Sequence, residues 1–317
     1  CVTKIKQISN LIKIIIVSDN RIDDVELLKF KFINIFLNKK KLTISKKRNI
    51  GVYKAKTNYI GFIDSDAYPH KHWIKNSIKI LRKDKNIFLV GGPNVSPPHQ
   101  NYLKTLVSDT QKSFLISGKW AFQKRLSKSR YTENLYSCNM VTKREYFIFV
   151  KGMNDKLIAG EDYDFCQRIR KVGKKVYFNK SSIVFHHDRS IKNFFIQKII
   201  RGYTIIEQIK KKSIVFKNNT KEFIFYQLIP LYFFLFNLLS ISYFFSGIRN
   251  NYISNGIILI YIFYLILLLL STRYNEKNIL NYPFILLLIF LGNISIGFGS
   301  LISIFGLNNI INYYKNI

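Results

Sequence analysis

Two short acidic groups stand where chemistry would need them. The first is Asp64-Ser65-Asp66, which follows the apolar run Tyr59 to Ile63 and precedes Pro69. Side chains alternate across a strand, so two carboxylates separated by one residue at a strand end share a side. Two hard oxygen ligands so placed can hold Mg2+ or Mn2+ against a diphosphate, because such ions are shared between one or two carboxylates and the phosphates of a substrate. The second group is Gly160-Glu161-Asp162-Tyr163-Asp164, at the head of a helical pattern that runs to Val172 and stops at Gly173. Acidic residues in a first turn cap free backbone N–H groups and suit the helix dipole, which accounts for one or two of the three. A carboxylate left over, held near an acceptor hydroxyl, could take its proton as general base. A cation would meanwhile neutralise the charge growing on a departing diphosphate. Asp19 closes the apolar run Lys13 to Val17 and reads either as a turn residue in Ser18-Asp19-Asn20 or as a holder of a nucleotide base or ribose. His186, after the run Ile183 to Phe185, reads either as structural or as a metal ligand.

These residues lie far apart in sequence and need a scaffold that gathers them. Apolar runs at Ile12 to Val17, Tyr59 to Ile63, Ile87 to Val90 and Lys175 to Phe178 predict strands. Helical patterns fall between them at Asp24 to Leu37, His72 to Lys83 and Asp162 to Val172. That alternation predicts an α/β domain with a mainly parallel sheet over residues 1–190, with ligands beyond the carboxyl ends of its strands. Residues 191–222 read as a basic, amphipathic segment along a membrane surface. Residues 223–317 hold three apolar stretches, Phe223 to Ser246, Gly256 to Ser271 and Pro283 to Gly306, each long enough or nearly so to span a bilayer. In the third, Gly292, Ser295, Gly299, Ser303 and Gly306 form a stripe of small residues that predicts a helix-packing face.

The formal net charge of +32 is spread along the chain. The cluster Lys210-Lys211-Lys212 with Lys217 and Lys221 is more telling, because positive flanks of a spanning helix stay cytoplasmic. Dispersed basic residues with no accompanying motif predict no nucleic-acid partner. The three cysteines, Cys1, Cys138 and Cys166, show no metal-ligand spacing and suit a reducing cytoplasm.

Taken in order, the motifs resemble glycosyltransferase family 2, the inverting transferases of the GT-A fold, over roughly residues 1–212. The likeness rests on Arg48-Asn49-Ile50-Gly51 with Ala55, then Tyr59 to Pro69, Ser137-Cys138-Asn139, Gly152, Gly160 to Asp164, Arg168, Gly173 and Phe185-His186. It implies a nucleotide-diphospho-sugar transferase fold with helices on both faces of the sheet, followed here by transmembrane helices. It places Asp19, Arg48, Asp64 and Asp66 on the donor, the last two through the metal, and makes Asp162 the catalytic base with Glu161 beside it. His186 matches a position where some members supply a further metal ligand, and a His beside two carboxylates tilts preference from Mg2+ toward Mn2+. Two departures stand out. The family's opening strand and turn have no counterpart, because Cys1 to Gln7 looks like the helix after them, which implies that an opening segment precedes residue 1. The Gln-x-x-Arg-Trp motif of processive members is reduced to Gln197 and Arg201-Gly202.

The expected function is therefore single transfer of a sugar from a nucleotide-sugar donor to a lipid-linked glycan, polysaccharide or lipid acceptor. The expected location is the inner or plasma membrane of the cell, with several spans and a cytoplasmic catalytic domain. A processive polysaccharide synthase and a non-catalytic sugar-nucleotide-binding scaffold of a glycan assembly complex are the alternatives.

Overall fold

The computed structural model describes residues 2–6, 12–19, 33–38, 41–157, 160–210, 221–248, 250–272 and 279–307. In chain order the first elements are α1 (Val2–Lys6), β1 (Ile14–Ser18), β2 (Ile33–Leu37), α2 (Ile44–Lys54), β3 (Tyr59–Phe62), β4 (Ala67–Pro69), α3 (Trp73–Lys83), β5 (Ile87–Gly91) and β6 (Asn94–Val95). Then come α4 (Tyr102–Gln111), α5 (Phe114–Ser117), β7 (Arg130–Tyr131), β8 (Met140–Lys143), α6 (Arg144–Phe149), α7 (Glu161–Lys171), β9 (Lys175–Phe178) and β10 (Val184–His186). The last helices are α8 (Ile191–Lys210), α9 (Lys221–Phe245), α10 (Asn251–Thr272) and α11 (Tyr282–Ile304). The chain divides into two compact units, Cys1–Pro98 with Phe122–His187, and His99–Ala121 with Asp188–Ile317.

The first unit is built on a five-stranded sheet in the order β3-β8-β5-β9-β7. All five residues of β5 are buried, as an Ile-Phe-Leu-Val run apolar on both faces requires of a central strand. The sheet is mixed where a mainly parallel one was expected: only β5 and β9 run parallel, and β8 lies antiparallel to both β3 and β5. The reason is where the chain re-enters. Met140, the first residue of β8, sits opposite Phe62 and Gly91, the last residues of β3 and β5, so the strand starts at their carboxyl ends and runs back. Helices cover both faces, as expected. Val52, Phe147, Phe165, Cys166 and Ile169 from α2, α6 and α7 pack with Phe62, Leu89, Met140, Val176 and Phe178. On the other face, Trp73 and Leu81 of α3 pack with Val90, Val141 and Val184. Each such large apolar side chain, fully buried, contributes about 1.5–3 kcal/mol.

A second, three-stranded sheet has the order β4-β10-β6, and β1 pairs with β2 in parallel. The helix expected over Asp24 to Leu37 is corrected at its end: Ile33–Leu37 is a strand, held by parallel pairing with Ile14–Ser18. Its residues 24–32 lie outside the described residues.

In the second unit, α9, α10 and α11 are long and apolar enough to cross a membrane, with mean hydropathies of 1.8, 2.5 and 2.3. The small-residue stripe of α11 packs in part as expected. Gly292, Gly299 and Ser303 are buried, while Ser295 is half-buried and Gly306 lies beyond the helix. A Cβ on Gly299 would stand 1.9 Å from the Ile199 carbonyl oxygen, and one on Gly202 would stand 1.8 Å from that of Ile296, so α8 and α11 touch backbone to backbone. Residues 99–121 belong to this unit too, with Leu106, Val107 and Ile116 packed against Phe194, Leu268, Ile285, Leu288 and Ile289.

Candidate active site

The turn after β3 delivers Asp64, and β4 carries the chain on past Asp66. Pairing of β4 with β10 sets Ala67 against His186, and the His187 N–H donates to the Asp66 carbonyl at 3.0 Å. That register brings His186 Nε2 to 3.4 Å from Asp66 Oδ1 and 4.0 Å from Asp64 Oδ2. His186 Nδ1 lies 3.0 Å from the His187 carbonyl oxygen. A carbonyl can only accept, so Nδ1 is the donor in that contact, and Nε2 is the ring nitrogen that faces the carboxylates. Asp66 is 51% exposed, while Asp64 is half-buried and His186 more deeply so, and two oxygens and one nitrogen converge there.

The second acidic group reaches this one through Arg48. Its Nη2 donates to Asp64 Oδ1 at 2.9 Å and its Nη1 to Glu161 Oε1 at 3.1 Å, with the guanidinium side chain only 12% exposed. The acidic groups near residues 65 and 162 are thus one guanidinium apart, on the same side of the first unit.

Arg48 is held by the helix it stands on. Thr43 caps α2 by accepting from the Lys46 N–H at 3.2 Å. Lys47 pairs with Asp19 at 2.5 Å, and the Leu42 N–H donates to Asp19 Oδ1 at 3.2 Å. The Lys47 hydrogen bond is the main reason the Asp19 carboxyl lies below its ordinary pKa. Asn49 donates to the Met153 carbonyl at 2.7 Å and accepts from its N–H at 2.9 Å. The neighbouring Gly152 has φ 64°, and a Cβ there would stand 2.8 Å from Asn49 Oδ1, so this approach requires glycine.

The three carboxylates at the head of α7 have three environments. Glu161 accepts from Arg48. Asp164 is 3% exposed and bound to Arg168 at 2.9 Å, and Arg168, held by it, donates to the Val150 carbonyl and so ties the helix to its neighbour. Asp162 accepts from its neighbour's N–H, Tyr163, at 2.8 Å. Withdrawal from water, with the Glu161 charge second, pushes its pKa up to about 7.

Two further residues enter the site without a spacing that marks them. Cys138 Sγ, an Asp64 carboxylate oxygen and a His186 ring nitrogen lie within 4.8 Å of one another. The thiol donates to Asn94 Oδ1 at 3.3 Å, and burial pushes its pKa up to about 12. Asn139 accepts from Trp73 Nε1 at 2.8 Å and donates to the carbonyls of Pro93 and Ser182 at 3.1 and 2.9 Å, tying the start of β8 to three other segments. The signal for both was the Ser137-Cys138-Asn139 turn; ligand spacing could not reveal Cys138, because its partners come from other strands.

Residues 1–150 match the family model described as Glycosyl transferase family 2. The chain is 24% identical over 166 residues to the chondroitin synthase of Escherichia coli, covering 44% of this chain and 24% of that one. It is 23% identical over 180 residues to the dolichyl N-acetyl-alpha-D-glucosaminyl phosphate 3-beta-D-2,3-diacetamido-2,3-dideoxy-beta-D-glucuronosyltransferase of Methanococcus voltae, covering 55% of this chain and 54% of that one. It therefore spans about a quarter of the first relative's length and about half of the second's. Among solved structures, the mannosyltransferase PcManGT from Pyrobaculum calidifontis matches with a TM-score of 0.57 at 10% identity, covering 93% of this chain and 78% of that one, a likeness of fold.

Proposed function

We propose that this chain, whose residues 1–150 match the Glycosyl transferase family 2 model, moves a sugar from a nucleotide-diphosphate donor to a membrane-associated acceptor. The acceptor is a lipid-linked glycan or a lipid, and each turnover adds one sugar with inversion. The observation that carries this reading is the Arg48 bridge, which puts the Asp64 and Glu161 carboxylates beside one guanidinium.

Asp64, Asp66 and His186 suit a divalent cation, since two carboxylate oxygens and an imidazole nitrogen already converge; Mn2+ or Mg2+ would be held there. When bound, the ion supplies positive charge to the diphosphate and its leaving oxygen. Asp19, fixed by Lys47 at the end of β1, receives the nucleoside. Arg48 orients Asp64 and Glu161. Asp162, raised in pKa and beside Glu161, takes the proton of the acceptor hydroxyl as that oxygen bonds to the anomeric carbon. The bond from that carbon to the diphosphate breaks in the same displacement, which inverts the centre. The mannosyltransferase of similar fold was solved with GDP-Man and Mn2+, which supports a nucleotide sugar and a metal as ligands.

The membrane part rests on the three apolar helices. We place residues 1–190 in the cytoplasm as the catalytic domain, 191–222 at the lipid surface and 223–317 in the inner or plasma membrane, on the basic residues around 210–221. The match to the chondroitin synthase of Escherichia coli favours a second reading, polymer synthesis. Product length separates the two.

The test offers labelled nucleotide sugars to membranes containing the full chain, with and without Mn2+, and identifies labelled lipid. Asp162→Asn should lower transfer by about 10²–10⁴-fold while sparing donor binding. Asp66→Ala should weaken metal-dependent donor binding itself. Equal loss of binding in both variants would undo the separate roles, and long homopolymer from the purified protein would refute single addition.

A further inference from the structure

The residues able to hold a cation form two overlapping sets. Asp64 and His186 belong to both. Asp66 joins them from the solvent side, with Oδ1 3.4 Å from His186 Nε2. Cys138 joins them from the buried side, its Sγ within 4.8 Å of both. The first set has two oxygens and a nitrogen, which suits a hard or borderline ion such as Mg2+ or Mn2+. The second has one sulfur, one nitrogen and one oxygen, which is a zinc donor set.

We propose that Asp64, Cys138 and His186 form a Zn2+ site, and that zinc held there excludes the catalytic cation and blocks donor binding. Tetrahedral zinc with ligands at its usual bond lengths sets its donor atoms about 3.3–3.7 Å apart. The observed separations close to that with side-chain shifts of roughly 1 Å. His186 is prepared for the role, because its Nδ1 is held by the His187 carbonyl and its Nε2 is left to bind. On the Cys138 side, zinc binding breaks the S–H bond, forms Zn–S and releases the proton to solvent. Asn94 Oδ1, which accepts from that S–H, would then face a sulfur anion. Turning its amide places the NH2 there instead, and its present donor contact to the Gly92 carbonyl, at 3.5 Å, is long enough to give up. Fourth coordination falls to water or Asp66. Because Cys138 is buried and Asp66 exposed, an ion bound to sulfur sits toward the wall of the site and away from where a diphosphate can approach. A bound thiolate also spends part of the positive charge that a diphosphate needs.

Zinc binding rests on geometry alone; the block rests on the transferase reading. The full chain in detergent is titrated with Co2+ as a spectroscopic stand-in and with Zn2+ against a chromophoric chelator. A sulfur-to-cobalt charge-transfer band that Zn2+ removes is expected in the parent and absent from Cys138→Ser. Zinc affinity should fall roughly tenfold or more in that variant, with Mn2+ affinity falling less. In transfer assays, added Zn2+ should inhibit the Mn2+-supported reaction and a chelator should restore it. The parent's cobalt spectrum decides even if Cys138→Ser does not fold. No sulfur band, or equal zinc affinity in parent and variant, overturns the site. A protein that shows the band yet transfers from no donor tells instead against the transferase reading.

Discussion

In the proposed reaction Asp162 is the general base and must be ionised to work, so its acidity sets where transfer begins on the pH scale. Withdrawal from water and then the Glu161 charge raise its pKa from the ordinary 3.8 to about 7. Transfer should therefore rise with pH through about 7, and one unit below that midpoint only about a tenth of the enzyme carries the ionised base. Glu161→Gln removes the neighbouring charge and keeps an oxygen that can accept from Arg48, so the acid limb must move to lower pH. The assay is kcat against pH with donor and Mn2+ saturating. The donor dissociation constant is followed over the same range, so that metal lost in acid is not counted as base lost. An acid limb that stays in place in Glu161→Gln, or that follows donor binding, refutes the assignment. Stability carries the opposite signature. A carboxyl with a raised folded pKa stabilises the fold fully below its unfolded value, and that contribution is lost as pH climbs from 3.8 to about 7. Asp162→Asn should thus melt at a higher temperature than the parent above that window and at the same temperature below it.

Asn139→Ala leaves the Trp73 N–H without its acceptor and the Pro93 and Ser182 carbonyls without their donor, which should cost about 3 kcal/mol of stability, read as a lower Tm in detergent; an unchanged Tm would show that the knot does not hold the site. Gly299→Leu puts a side chain where a Cβ already meets the Ile199 carbonyl at 1.9 Å, so α8 and α11 must part and thermal unfolding should shift down by an amount equivalent to about 3 kcal/mol. Gly256→Ala in α10, with nothing within 4 Å of the added Cβ, is the contrast and should be neutral or slightly stabilising.

What could be read before the structure depended on how much of a signal was local. Lys175 to Phe178 is a strand to the residue, and the helices expected from His72 and Asp162 begin within one residue of those positions, because each combines periodicity with a stop such as Gly173. Ile33 to Leu37 shows the limit: an apolar run of that length fits either period, and pairing with β1 decided it. β8 is four residues long and gives no run to detect, yet it carries the Cys138-Asn139 turn to the carboxyl end of β3. Residues 99–121 carry no membrane signature of their own; their place beside α11 is set by Leu106, Val107 and Ile116 finding an apolar partner. In the site, the acidic groups and His186 stood out by type and order. The resemblance places Arg48 on the donor, but in a chain with 50 Lys and Arg nothing in the sequence singles it out as a bridge between two carboxylates.

The Arg48-Asn49 motif earns its place by direction. Consecutive side chains on a helix point about 100° apart. Lys47, Arg48 and Asn49 therefore cannot share a target, and they reach Asp19, the Asp64–Glu161 pair and Met153 respectively. One turn of helix thus fixes the segment proposed for the nucleoside, the carboxylate proposed for the metal and the loop that leads to Asp162. Thr43 sets where that turn begins, and its hydroxyl also donates to the Asp155 carbonyl at 3.2 Å in the same loop. A lysine at position 48 would keep the charge and lose the bridge, because Nη1 and Nη2 of a planar fork serve two carboxylates at once and a single ammonium on a flexible stem does not hold both in that geometry. What the motif supplies is the relative placement of Asp19, the Asp64–Glu161 pair and the Met153 loop, so in the proposed reaction its residues act without touching sugar or phosphate.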